Sequence, residues 1–484
     1  MSESGTKPSE MTFGRAMIPV LFLIGALFVG LNIYGSDPHI PILATAVVAG
    51  LVGLKSGYSW QHMEEAIMDT IKVAMQAVLI LMVIGALTGT WILSGTVPSM
   101  IYYGLQIISP GIFLIATTII SAIVSIATGS SWTTAGTVGI ALIGIGEGLG
   151  IPLPIVAGAI ISGAYFGDKL SPLSDSTNLA PAMAGAELFE HIRHMLYTTV
   201  PSLLISLVLY GIIGMKYSGS SIDTEGIEVI LNGLSSQFTI SPILLIPPLM
   251  VILMVIFKIP AIPGLIGGVL VGGIFAVVFQ GQNLGSIIDA AHYGYVSEMG
   301  IPAVDDLLTG GGLDGMMWTV SLILCAMSFG GIMEKTGMLE AIARKILTLA
   351  NSTGSLVLST ILTAIASNFV AGDQYLSIVI TGRMYKDVYD EKGLHPKNLS
   401  RVLEDSGTLT SPLVPWNTCG AFMYKTLGVH PFAFAPYAFL NLLNPIISTI
   451  YGFTGITMEK VEKEEKSEKQ KKKKYSKESI EGTI

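Results

Sequence analysis

The chain has 484 residues, 51% of them hydrophobic and only 12% charged, with a formal net charge of −8 and a mean hydropathy of +0.66. A soluble domain carries about 25% charged residues, so this composition excludes a water-soluble enzyme, a disordered chain and a collagen-like repeat, and points to a polytopic membrane protein. The charge is uneven: nine of the 26 basic residues lie from Lys460 onward, in KVEKEEKSEKQKKKKYSKES.

In chain order, residues 1–15 are polar and lack a small-residue cleavage site after their basic residues, so they read as a cytoplasmic N-terminus before a retained span. A hydrocarbon core of about 30 Å takes about 20 helical residues. Apolar runs of this kind cover 16–34, 40–54, 73–93, 110–127, 134–145, 152–166 and 195–215. A lysine-free stretch, SGSSIDTEGIEVILNGLSSQ, inside an external linker at 217–240, separates them from runs at 241–257, 261–280, 313–333, 356–370, 375–380, 411–424 and 432–455. Several runs are too short, or too interrupted by Gly and Pro, for plain spanning helices. Irregular backbone at membrane depth survives only where it is buried or lines a polar cavity. Residues 456–484 read as a basic cytoplasmic tail that fixes topology. Cys325 and Cys419 sit in apolar runs and read as core residues, too few for a disulfide framework or a thiolate metal site.

The chain reads as two copies of one unit, 16–216 and 241–455, offset by about 240 residues. Ser171-Pro172-Leu173 returns as Ser411-Pro412-Leu413, LVLYGIIG as STIYGFTG, and Ser94-Gly95 as Thr336-Gly337. Charge separates the copies in orientation. Lys258, Lys335, Arg344, Lys345, Arg383, Lys386, Lys392, Lys397 and Arg401 fall in second-half connections on the side of the tail, whereas 281–312 has no Lys or Arg. In the first half Lys55 and Lys72 occupy the place equivalent to that bare connection, and 94–109 and 146–152 are the bare ones. The halves are therefore expected to be inverted, with both termini cytoplasmic. Lys216 and Lys425 depart from the rule singly, near span ends where their stems could snorkel.

Two polar tips interrupt apolar pairs: Thr128, Gly129, Ser130, Ser131, Trp132, Thr133 and Thr134 in the first half, and Ser367, Asn368, Gly372, Asp373 and Gln374 in the second. Each pair suits a re-entrant hairpin or two full spans joined by a tight turn. Helix–helix hydrogen bonding alone accounts for Ser and Thr in a membrane, but an ionisable Asp373 at that depth marks an ion or substrate path. After each tip comes a helix broken by Pro: Asp168, Lys169, Ser171, Pro172, Asp175, Thr177 and Asn178, then Glu404, Asp405, Thr408, Ser411, Pro412, Asn417 and Thr418. A broken helix frees carbonyl oxygens and helix ends, the hard ligands a small cation needs, and a carboxylate that holds either a proton or sodium makes the two ions compete. The candidate sodium ligands are accordingly Asp168, Asp175 and Asp373. The bland alternatives are an ion pair of Asp168 with Lys169 or another base, a cap on a broken helix end for Asp175 and a place near the cytoplasmic mouth with Arg401 for Glu404.

The segments ATGSSWTTAGTVG, GAYFGDKLSPLSDSTNLA, SNFVAGDQY and LEDSGTLTSPLVPWNTCGAF resemble the signature regions of the NhaC-type sodium/proton antiporter family, from about residue 13 to 455. The resemblance implies an all-α fold of two inverted repeats, each with a re-entrant hairpin and a discontinuous helix. It also implies a plasma-membrane homodimer, transported sodium and protons, and no cofactor or nucleic-acid partner. The related sodium/dicarboxylate carriers have Ser-Asn-Thr at both tips; here the first is Gly-Ser-Ser-Trp-Thr and the second Ser-Asn-Phe, which leaves a cation site and puts a dicarboxylate site in doubt. A malate-proton/sodium-lactate antiporter, with a small organic acid as substrate, shares these motifs and stays open. A channel or sensor on the same fold is the reading from another class, and twin discontinuous helices favour alternating access over it. No HExxH or GxSxG pattern suggests an enzyme.

Overall fold

In lipid a long apolar run can satisfy its own backbone only as helix or closed barrel. The computed structural model describes residues 10–107, 109–218, 224–257 and 259–461, and these are helical with no strand, the sole bridges among them being Tyr295–Gly310 and Leu394–Lys460. Residues 462–484 of the basic tail and Lys258 lie outside the described residues.

The helices are α1 (Phe13–Leu27), α2 (His39–Lys55), α3 (Trp60–Leu93), α4 (Thr96–Ile107), α5 (Pro110–Thr128), α6 (Ser131–Thr134), α7 (Ile140–Gly148), α8 (Leu153–Leu170), α9 (Asp175–Ala184) and α10 (Leu188–Ser218). There follow α11 (Thr224–Gln237), α12 (Ile246–Ile256), α13 (Ala261–Gln280), α14 (Leu284–Tyr293), α15 (Pro302–Leu308), α16 (Met317–Lys335) and α17 (Met338–Leu347). The last are α18 (Thr353–Ala371), α19 (Gln374–Glu391), α20 (Pro396–Leu403), α21 (Thr418–Leu427), α22 (Pro431–Phe434) and α23 (Phe439–Thr454). By length and composition seven described helices can cross a membrane, or nine if two bent pairs each count as one.

Contacts between distant loops define two faces. On one, Arg344 meets Glu10 at 2.7 Å, Gly53 packs by Thr336, Lys392 donates to the Asn351 carbonyl and His194 bonds the Lys397 carbonyl. On the other, Gln280 donates to the carbonyls of Ser94 and Thr239, and Gly148 packs against Leu105 and Ile230. The second face gathers 94–109, 146–152, 224–240 and 281–312, none of which carries Lys or Arg. The 217–240 stretch, expected as a linker, contains α11, whose Ile230 and Leu234, one turn apart, are buried against neighbouring helices. Its polar composition masked an amphipathic face.

Both Pro-marked helices break where expected. The first stops at Leu170 and restarts at Asp175; the second runs from Pro396 through a π-helical turn, Glu404–Thr408, to Thr410 and restarts at Thr418. Each hairpin turns on a left-handed glycine, Gly129 (φ 67) and Gly372 (φ 68), followed by a residue whose side chain caps the next helix, Ser130 and Asp373. A Cβ on Gly129 would lie 2.6 Å from Leu173, so the first tip is pressed onto the first break. The α5 limb can approach α8 closely because Gly163 and Gly167 face the Thr118 and Ala122 carbonyls with no side chain between.

Candidate functional site

The two tips and two breaks converge on one cavity of about 680 Å3. Thr128, Gly129, Ser130, Ser131 and Trp132 line it from the first tip, and Asp168, Leu173, Ser174, Asp175 and Ser176 from the first break. Asp373, Gln374 and Tyr375 follow the second tip, and Thr418 and Cys419 start α21; Val73, Gln76 and Ile80 of α3 and residues 259–261 form the wall. No Lys or Arg is among these lining residues.

Two buried carboxylates are held alike. Asp168 accepts from Ser131 N–H (3.0 Å) and the Ser131 hydroxyl (2.6 Å) on one oxygen, and from Ser174 Oγ (2.5 Å) on the other. Asp373 accepts the N–H groups of Tyr375 (2.8 Å) and Leu376 (3.0 Å) on one oxygen and the Thr418 hydroxyl (3.1 Å) on the other. A carboxylate offers about four acceptor positions, and among the described residues three are filled on each. Asp175 starts α9 and is exposed to the cavity, at the helix end where a carboxylate is favoured by the dipole.

Several other expected ligands sit outside the cavity lining and hold the breaks in shape. Thr177 donates to the carbonyl of Asp168 or Lys169, Asn178 to those of Pro172 and Ser174, and Ser171 to that of Ile126. In the second half Asn368 donates to Gly407 O (2.7 Å), Ser411 to Thr408 O and the Gln374 side chain, and Asn417 caps α21 while donating to Asn368 O. Thr133 closes the Ser130 cap through its N–H, and Thr408 is buried in the π-helical turn. These side chains therefore occupy many of the carbonyls that the breaks release.

Asp405 is also away from the cavity. It pairs with Lys169, which turns from Asp168 because successive helical residues diverge by about 100°. Glu404 and Arg401 are both fully buried, and His191 is buried against Ser400 Oγ (2.8 Å). Ser174, Ser176 and Cys419 are not among the residues expected in the site, and Cys419, read as core, donates its S–H to Gln374 of the second tip at 3.2 Å. A Trp132–Phe422 stack, with centroids 4.1 Å apart, joins the first tip to the second broken helix.

The sequence matches the pattern of the Na+/H+ antiporter family over residues 163–456. It is 39% identical to the Na+/H+ antiporter NhaC of Alkalihalophilus pseudofirmus, over 92% of this chain and 96% of that one. It is 42% identical to the malate-2H+/Na+-lactate antiporter of Bacillus subtilis, over 91% and 94% of the two chains. It is 38% identical to the arginine/ornithine antiporter ArcD of Halobacterium salinarum, over 92% and 93%.

Proposed function

The chain belongs to the Na+/H+ antiporter family, and from that premise we propose that it exchanges sodium for protons across the cell membrane by alternating access, extruding sodium and helping to set internal pH. It is a transporter, not an enzyme. The observation that carries the reading is the paired arrangement of Asp168 and Asp373 in one cavity, each with three acceptor positions filled among the described residues. A sodium ion binding either carboxylate competes with a proton for the same oxygens, and competition at a site open to one side at a time is exchange. Asp175 adds a third negative charge at the mouth.

Among the described residues the cavity lining has three carboxylates and no cationic side chain, which suits a cation better than malate or lactate and favours sodium/proton exchange over the organic-acid antiporter. The experiment is a proton gradient in vesicles holding the purified protein. Sodium alone should dissipate it. Dissipation that needs malate or lactate would transfer the site to organic acids, and sodium current without proton movement would indicate a channel.

The inverted-repeat reading has support in helix direction. From the basic face, α3 leads to the bare face and α16 returns; α5 starts at the bare face and α18 at the basic one; α8–α9 and α20–α21 run oppositely. Placing the basic face in the cytoplasm follows from the bias of Lys and Arg toward that side, and puts both described chain ends there. A homodimer in the plasma membrane completes the proposal, and cross-linking in native membranes tests it.

A further inference from the structure

Among the described residues, every hydrogen bond to Asp168 or Asp373 comes from that carboxylate's own half of the chain. An ion path that uses both carboxylates needs the two halves held at one spacing. The halves meet beside the cavity in an aromatic stack: Trp132, which lines it, lies on Phe422 with ring centroids 4.1 Å apart and planes inclined by 12°.

Each ring is one step from a donor to a carboxylate. Trp132 follows Ser131, whose N–H and hydroxyl both bond Asp168, within the short α6. Phe422 stands one helical turn after Thr418, whose hydroxyl bonds Asp373, so the two share a face of α21. The series Asp168, Ser131, Trp132, Phe422, Thr418 and Asp373 therefore links one carboxylate to the other. The surrounding backbone leaves the rings little room. Beyond α6 the π-helical turn Ala135–Gly139 passes between α3 and α21; a Cβ on Gly136 would lie 2.8 Å from Ile84, and one on Gly139 3.3 Å from Leu427. Phe422 is fully buried, and Trp132, at the cavity wall, partly so.

We propose that Trp132 is a positioning residue for sodium: through its stack on Phe422 it fixes the spacing of Asp168 and Asp373, and the two half-sites hold the ion as one unit. An aromatic pair of this kind is worth about two- to tenfold in an equilibrium constant. Both rings sit on elements that carry the site. Unstacking therefore weakens sodium binding and leaves the rate at which the site is exposed to either side unchanged. This rests on the cavity being the sodium site.

The test uses the full chain, in vesicles for flux and in detergent for isothermal titration. Trp132→Leu should raise the sodium KM and dissociation constant by about fivefold, with kcat within about twofold of wild type. Trp132→Phe, which can still stack, should raise them by less than about twofold. Phe422→Leu should match Trp132→Leu, and the double variant should lose no more than either single one, because one interaction is missing in all three. A packing role alone would lower thermal stability and leave KM as it is. A wild-type KM in Trp132→Leu therefore overturns the proposal, and so does a loss in the double variant equal to the product of the single losses. Should the leucine variants fail to fold, Phe422→Met keeps the volume, removes the stack and takes their place with the same KM expected. Fluorescence adds a readout apart from flux, since Trp132 lines the cavity and Trp60, Trp91, Trp318 and Trp416 are outside its lining. Sodium should change the emission of the wild-type protein and leave that of Trp132→Phe unchanged, and Phe422→Met should shift the emission without sodium. A sodium response that persists in Trp132→Phe overturns the proposal too. Failure of the exchange reading looks different: the wild-type protein itself then shows no sodium-driven proton movement.

Discussion

Asp168→Asn keeps the shape of the first break and removes its charge. In the structure the carboxylate receives three donors, two from Ser131 and one from Ser174. Charge-assisted bonds are worth about 1.5–3 kcal/mol and neutral ones about 0.5–1.5, so weakening them costs folding stability, while burying an amide in place of a charge returns much of it. The net change in stability should be within about 2 kcal/mol. Sodium affinity responds on another scale. A unit charge about 4 Å from the cation, at an effective dielectric of about 20, contributes about 4 kcal/mol, equivalent to a loss of two to three orders of magnitude. Isothermal titration with sodium and thermal unfolding of the same preparation separate the two effects. Exposed Glu187, whose carboxylate caps Glu190 N–H at 2.8 Å, serves as the control, with Glu187→Gln expected to transport normally. Sodium affinity within tenfold of wild type in Asp168→Asn would refute the assignment of this carboxylate as a ligand.

Lys169→Met strands the buried Asp405 and should lower stability by about 3–5 kcal/mol, whereas Lys169→Met with Asp405→Leu should recover most of it; thermal unfolding in detergent reads both. Gly129→Ala forces a side chain into left-handed backbone and against Leu173, so the tip must lift from the break; we expect about 1–3 kcal/mol less stability and weaker sodium binding, measured as above. Outside the membrane, donation from the Ser297 hydroxyl and the Met299 and Gly300 N–H groups holds the Asp305 carboxyl below its ordinary range. Its contribution is therefore full above about pH 4 and is lost as pH falls through the lowered value. Amide exchange at Met299 and Gly300 should be protected at neutral pH, and Asp305→Ala should abolish that protection without affecting the cavity.

Much of this was legible in the chain. Pro172 and Pro412 cannot continue a helix, and the helices break there; Gly129 and Gly372 stand where the turns need left-handed backbone. The carboxylates chosen for their Gly, Ser and Thr surroundings, Asp168, Asp175 and Asp373, meet in one cavity. What could not be read depends on long-range packing. Lys169 and Asp405 are 236 residues apart, and no local pattern signals their pairing. Ser176 and Cys419 enter the site only because two breaks and two tips come together. The alternative of an ion pair between Asp168 and Lys169 is disfavoured by the chain itself, since successive residues on a helix face apart. The amides of Asn178, Asn368 and Asn417 donate to carbonyls around the breaks and the second tip, contacts that no local pattern signals.

The cavity draws its polar groups from Ser131, Asp168, Asp373 and Thr418, each on a different stretch of chain. An ion seated among them would act as a cross-link, closing loops far longer than any local contact does. Occupancy then becomes a term in the folding equilibrium, growing with the logarithm of sodium concentration once the site is saturated. A carrier built this way is most vulnerable to heat and proteases when empty. Resistance to trypsin, followed as sodium is varied, would report in crude membranes how full the site is, with no flux measurement at all.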